Sequence, residues 1–158
     1  MLSHDILQWS HEFISDDMLY VHPHDLTFGR EDEIHTTVLY GLHTNDYHKI
    51  KKILAKEKPV YCTLGNVSLF QSSPFFDVLK IDVHSKDLHK LNILLESRLK
   101  TTPMYPSYIP HVTIAYVNKG AARQFTDSAE FAGRTFTATE VIFSSKNGVR
   151  TILPLGDT

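Results

Sequence analysis

The sequence predicts an α+β fold, with mainly antiparallel sheets and helices outside. Three observations carry this. Strand-like and helical runs follow the order strand, helix, strands, helix, then strand, short helix, strands. The turn signal Ser72-Ser73-Pro74 lies between two β-rich runs and joins them as a hairpin. One phrase occurs twice about half a chain apart, as His35-Thr36-Thr37-Val38-Leu39-Tyr40 and His111-Val112-Thr113-Ile114-Ala115-Tyr116. Each half therefore has a similar strand. This suggests a single domain over residues 1–158, built of two lobes related by a pseudo-twofold, each giving one such strand to a central cleft.

Along the chain, Ile6, Leu7, Phe13 and Ile14 fit one face of a short helix. Residues 15–30 read as a loop-rich segment punctuated by Pro23 and Gly29. The first phrase is expected as a strand at about 34–42. Thr44 or Asn45 can cap a helix through about 56, with Tyr47, Ile50, Ile53 and Leu54 inward. Strands follow from Pro59 to about Phe70 and over about 76–83, the second alternating Val78, Lys80, Asp82 against Leu79, Ile81, Val83. Ser85 caps an amphipathic helix to about Lys100, with Leu88, Leu91, Leu94, Leu95 and Leu99 at helical spacing. Pro103, Pro106 and Pro110 stiffen the connection to the second phrase, a strand at about 111–117. A short helix near 119–125 and two strands at 135–143 and 149–153, joined at Lys146-Asn147-Gly148, complete the chain.

The net charge of −2 gives no general pull toward long nucleic acid or an anionic membrane, so an anionic ligand must be held by a local cluster. The single cysteine, Cys62, excludes an internal disulfide and sits in an apolar run that suggests a buried thiol. No secretory signal and no bilayer-spanning run is visible, so a soluble, cytoplasmic protein is expected. Ten histidines invite a metal reading. His22 and His24, His43 and His48, or His84 and His89 form no recognised ligand set with a carboxylate or cysteine. No metal and no cofactor are expected.

The repeated phrase carries the chemistry. Residues i and i+2 of a strand share a face, so His35 with Thr37, and His111 with Thr113, each aim an imidazole and a hydroxyl into one space. Tyr40 and Tyr116 stand at odd spacing from their histidines and should turn to the opposite face as core residues. About one chance His-x-Thr is expected in such a chain, so one copy alone means little. The bland alternative is two strands with solvated His and Thr. Two histidines near neutral pKa can serve as base and acid toward a phosphodiester, while the threonine hydroxyls donate to its non-bridging oxygens. Neither histidine is thereby assigned as the base. Lys146, Arg150, Lys119 and Arg123 could offset an anionic ligand, although solvated surface charge is the favoured reading of each. Tyr105, Tyr108, Trp9 and Tyr20 could stack on a base, and Glu140 could read a base edge. For Trp9 and Tyr20 core packing is an equal alternative.

The paired His-x-Thr phrases resemble those of the 2H phosphoesterases, a superfamily that includes RNA 2′,3′-cyclic phosphodiesterases. The resemblance implies His35, Thr37, His111 and Thr113 as a catalytic quartet. Gly29-Arg30-Glu31-Asp32-Glu33 before His35, Pro110 before His111, and Val141-Ile142-Phe143-Ser144-Ser145-Lys146 are similar to small phage members, among them the anti-CBASS nucleases that cleave cyclic oligonucleotide immune signals. Ile34 departs from the Pro expected before the first histidine. The resemblance implies a cyclic oligonucleotide substrate and a place in the cytoplasm of an infected bacterial host. The rivals are an enzyme of RNA 2′,3′-cyclic ends and a non-catalytic sponge for the signal. A broad basic stripe would favour RNA, and two intact proton-transfer groups argue against a sponge.

Overall fold

The computed structural model describes residues 1–43, 47–102, 107–145 and 148–156. It is α+β, as expected. In chain order it contains α1 (Leu2–Phe13), α2 (His48–Leu54), β1 (Val60–Phe70), β2 (Phe76–His84), α3 (Lys86–Arg98), β3 (His111–Asn118), β4 (Thr135–Ala138), β5 (Glu140–Ser144) and β6 (Arg150–Pro154). Two compact units divide it. The first comprises Met1–Thr37, Thr63–His84 and His111–Arg134; the second comprises Val38–Cys62, Ser85–Pro110 and Thr135–Thr158. His35–Thr37 and the whole second phrase fall in the first unit, while Val38–Tyr40 fall in the second.

In the first unit β2 pairs antiparallel with β1 on one side and β3 on the other. Leu79, Ile81 and Val83 of β2 are buried on one face with Val112, Ile114, Ala115 and Val117 of β3. Ile6, Trp9 and Ile14 at α1 complete this core. Trp9 meets Phe125 at 5.4 Å and Phe131 at 5.8 Å between ring centroids, which settles it as a packing residue. The end of α1 is closed from a distant part of the sequence. Arg30 donates to the Ile14 carbonyl at 2.6 Å, just past the last turn, and to the Ser10 carbonyl at 2.5 Å, which also accepts from Ile14 N at 3.0 Å.

The outer edge of β3 is covered by the chain between 19 and 36, through bridges Leu19–Val117, Arg30–Ala115 and Thr36–Val112. The first phrase is thus no strand over 34–42. Its backbone groups go elsewhere: the Val38 carbonyl accepts from Asn92 Nδ2 at 2.7 Å, and Leu42 bridges Thr101. Gly41 holds φ +77, and a side chain there would collide with the Thr102 carbonyl.

In the second unit α2 buries Ile50, Ile53 and Leu54. The expected cap residues Thr44 and Asn45 lie outside the described residues, and the helix begins after Tyr47. Ser85 caps α3 as expected, its Oγ accepting from Leu88 N at 3.0 Å. Cys62 is buried, which pushes its thiol up, against a hydrogen bond with Ser85. The single strand expected over 135–143 is two. β4 neighbours β1, whereas β5 pairs with β6 in a two-stranded sheet among the described residues, and the Thr139 carbonyl between them accepts from Leu155 N at 2.9 Å. The expected helix near 119–125 is one short 3-10 turn, Arg123–Phe125. No helix among the described residues is long and apolar enough to cross a membrane.

Candidate active site

The register of β3 on β2 sets Asp82 opposite His111 and Lys80 opposite Thr113. On the other side Ser68 of β1 is opposite Lys80. Alternation then brings Ser68, Phe70, Lys80, Asp82, His111 and Thr113 to one face of the three strands. Between Leu79 and Lys80 the register slips, because Leu79 opposes Ala115 while Lys80 opposes Thr113 and Ile114 is extra. Such a bulge reverses the alternation. His111, Thr113 and Tyr116 are half-buried where Val112, Ile114, Ala115 and Val117 are buried. Tyr116 therefore shares the face of His111, contrary to its odd spacing. It packs at 5.2 Å on Phe28 and 5.6 Å on Phe76, with Tyr20 5.1 Å from each of those rings.

The antiparallel bridge between Thr36 and Val112 brings the two phrases side by side. Its neighbours in register are His35 with Thr113 and Thr37 with His111, so each histidine adjoins the other phrase's threonine. Val112 faces the core, which directs these four residues to the opposite face. Thr36 itself leaves Oγ1 buried without a hydrogen-bond partner. His35 is exposed, and its Nδ1 lies 3.0 Å from the Glu33 carbonyl. A carbonyl only accepts, so Nδ1 carries the proton in the neutral ring and Nε2 is left as the exchanging atom. Burial pushes the Glu31 carboxyl up, and the charge of His35 partly offsets this.

Of the outlying candidates, Tyr105 and Lys146 lie outside the described residues. Tyr108, Glu140 and Arg150 belong to the second unit, whereas His35, Thr37, His111 and Thr113 belong to the first. Tyr108 is half-buried, its ring 5.5 Å from His89, and burial holds its phenol well above the ordinary range, with Tyr40 and Cys62 adding to the shift. Glu140 and Arg150 are exposed at the starts of β5 and β6. Lys119 is committed to structure, pairing with the fully buried Asp77 at 2.9 Å and donating to the Gln71 and Ser73 carbonyls. Arg123 is exposed. Among the described residues no group of three or more His, Cys, Asp or Glu could hold a metal ion. Sequence reasoning missed Ser68, Phe70, Lys80 and Asp82. A lysine and an aspartate alternating with Leu79, Ile81 and Val83 were the available signal.

The model of the 2'-5' RNA ligase superfamily matches residues 22–150, a span that contains both phrases. The chain belongs to that superfamily. It is an enzyme of the 2H phosphoesterase type, a phosphodiesterase. Solved structures similar to this superfamily member include Usb1 of Kluyveromyces marxianus, with a TM-score of 0.54 and 12% identity over 78% of this chain and 76% of that one. That likeness shows the shared fold. No curated protein matches the chain.

Proposed function

We propose that this superfamily member opens cyclic di- or trinucleotides of the kind that carry bacterial immune signals, without a metal, through His35, Thr37, His111 and Thr113. The observation that supports this chemistry is the Thr36–Val112 bridge, since an antiparallel register there makes the two His-x-Thr segments neighbours. One neutral histidine takes the proton of a ribose 2′-hydroxyl, and the 2′-oxygen attacks the adjacent phosphorus. The bond to the 5′-oxygen breaks as the other histidine, protonated, gives that oxygen its proton. Thr37 and Thr113 donate to the non-bridging oxygens as charge builds. The product end is a 2′,3′-cyclic phosphate, which water opens with the two histidines in exchanged roles. The small-ligand choice is supported by the net charge of −2 and by the flanking phrases similar to phage proteins.

A second reading, an enzyme of RNA 2′,3′-cyclic ends, is favoured by the name of the superfamily itself. One experiment separates the two. The protein is incubated, with chelator, with a panel of cyclic oligonucleotides, their 2′-deoxy analogues and RNA bearing 2′,3′-cyclic ends, and products are identified by mass. Cleavage of cyclic oligonucleotides, abolished by the 2′-deoxy change, is expected. Preference for RNA ends would install the second reading, and cleavage of the deoxy analogues would overturn attack by the 2′-hydroxyl.

A further inference from the structure

Lys80 brings an ammonium to the His–Thr face, although only 5% of the residue is exposed. Its Nζ donates to Ser68 Oγ at 2.5 Å and to Asp82 Oδ1 at 2.7 Å, and Ser68 Oγ donates to the same carboxylate oxygen at 2.7 Å. Nζ also lies 4.4 Å from the centroid of Phe70. That ring in turn meets His111 edge-on at 4.9 Å. Burying an ammonium on a sheet, here beside a half-exposed carboxylate, costs solvation that an apolar residue of similar size would not incur. The other cations that the first unit pairs serve the scaffold. Arg30 closes α1, Lys119 is tied to Asp77, and Arg134 pairs with Asp5 at 2.9 Å.

We propose that Lys80 is the anion-holding residue of this face, giving its third N–H to a non-bridging phosphoryl oxygen of a substrate bound at His111 and Thr113. Ser68 and Asp82 take its other two N–H groups and so fix where the third points. Phe70 lies across the ammonium and beside His111, so a phosphoryl group that reaches His111 arrives over the edge of that ring. Asp82 is opposite His111 in register and would repel an anion if bare. Lys80 and Ser68 occupy its Oδ1. The inference rests on the phosphodiester reading above, and its test tells the two apart.

Inorganic phosphate is titrated into the unaltered full chain while the Cε signal of Lys80, assigned with Lys80→Arg, and the ring signals of His111 are followed by NMR. Both are expected to move with one midpoint. Movement of His111 without Lys80 overturns the role of Lys80 and leaves the phosphodiester reading standing. Movement of neither removes both. The paired variant Lys80→Met/Asp82→Leu then deletes both charges without leaving either one buried alone. It is expected to bind phosphate roughly 10- to 100-fold more weakly, the worth of one charge-assisted hydrogen bond, at a melting temperature near the parental one. Parental affinity in that variant would reduce the network to scaffold.

Discussion

At the scale of single residues, the two histidines stand in different settings. His35 is exposed and anchored through Glu33, whereas His111 is half-buried beside Phe70. His35→Ala and His111→Ala are each expected to lower turnover by roughly 10²–10⁴-fold at unchanged fold, as for loss of a general acid or base. Steady-state rates beside circular dichroism check this, and near-parental turnover in either variant would end the two-histidine mechanism. Thr37→Val and Thr113→Val should cost roughly 10²–10³-fold. Thr36, between two of these residues, gives a control of opposite sign. Its Oγ1 is buried without a partner, so Thr36→Val should leave turnover intact and be neutral or stabilising by about 1 kcal/mol. A denaturation midpoint below the parental one would show that this hydroxyl has a partner after all. The proposed quartet could be named from the sequence because it needs only a spacing of two within each phrase. Lys80 was not, because its meaning comes from Ser68 on a different strand, and that register is fixed by core packing.

At the scale of elements, regular pieces with a full apolar face were legible and pieces defined by their partners were not. β2 and α3 could be read from alternation and helical spacing, and Ser85 from its capping chemistry. The first phrase looked like a strand by composition, yet a single bridge at Thr36 is what it makes, since Asn92 takes the Val38 carbonyl. The reversal at Tyr116 depends on one extra residue against β2, which periodicity cannot register. The turn between β1 and β2 has a lock of its own. Asp77 is fully buried, accepts from Gly120 N at 2.9 Å and pairs with Lys119, which also holds the Gln71 and Ser73 carbonyls. Asp77→Ala strands these donors. Because Lys119 can still reach water, the expected loss is toward the lower end for a broken buried pair, about 3 kcal/mol. Urea unfolding measures it. A loss below about 1 kcal/mol would show the turn held by its backbone alone.

At the scale of the whole molecule, charge links stability to pH and decides what the surface attracts. Burial pushes the Asp82 carboxyl up, but hydrogen bonds from Lys80 and Ser68 prevail and hold it below its ordinary value in the folded chain. A carboxyl lowered on folding stabilises at pH above its unfolded value, and that contribution is lost as pH falls through the folded one. Asp82→Asn should therefore flatten the decline of unfolding free energy below about pH 4, the unfolded carboxylate range, and a parental slope there would deny the network its charge. The overall balance is −2, and in the first unit, which holds His35 and His111, Arg30, Lys80, Lys119 and Arg134 are taken up in ion pairs, so that among its described residues Arg123 is the cation left to track a polynucleotide backbone. For a single strand, log affinity falls with log salt by about 0.7 per phosphate neutralised. A site that holds one or a few phosphoryl groups should thus give a slope no steeper than about −2, similar for a cyclic dinucleotide and for a longer RNA. Fluorescence anisotropy over a salt series, with a His111→Ala chain to prevent cleavage, reads the slope directly. A slope for RNA of about −4 or steeper, with the cyclic ligand unchanged, would mean that a row of phosphates is bound along the surface, and the preference for small cyclic substrates would have to be given up.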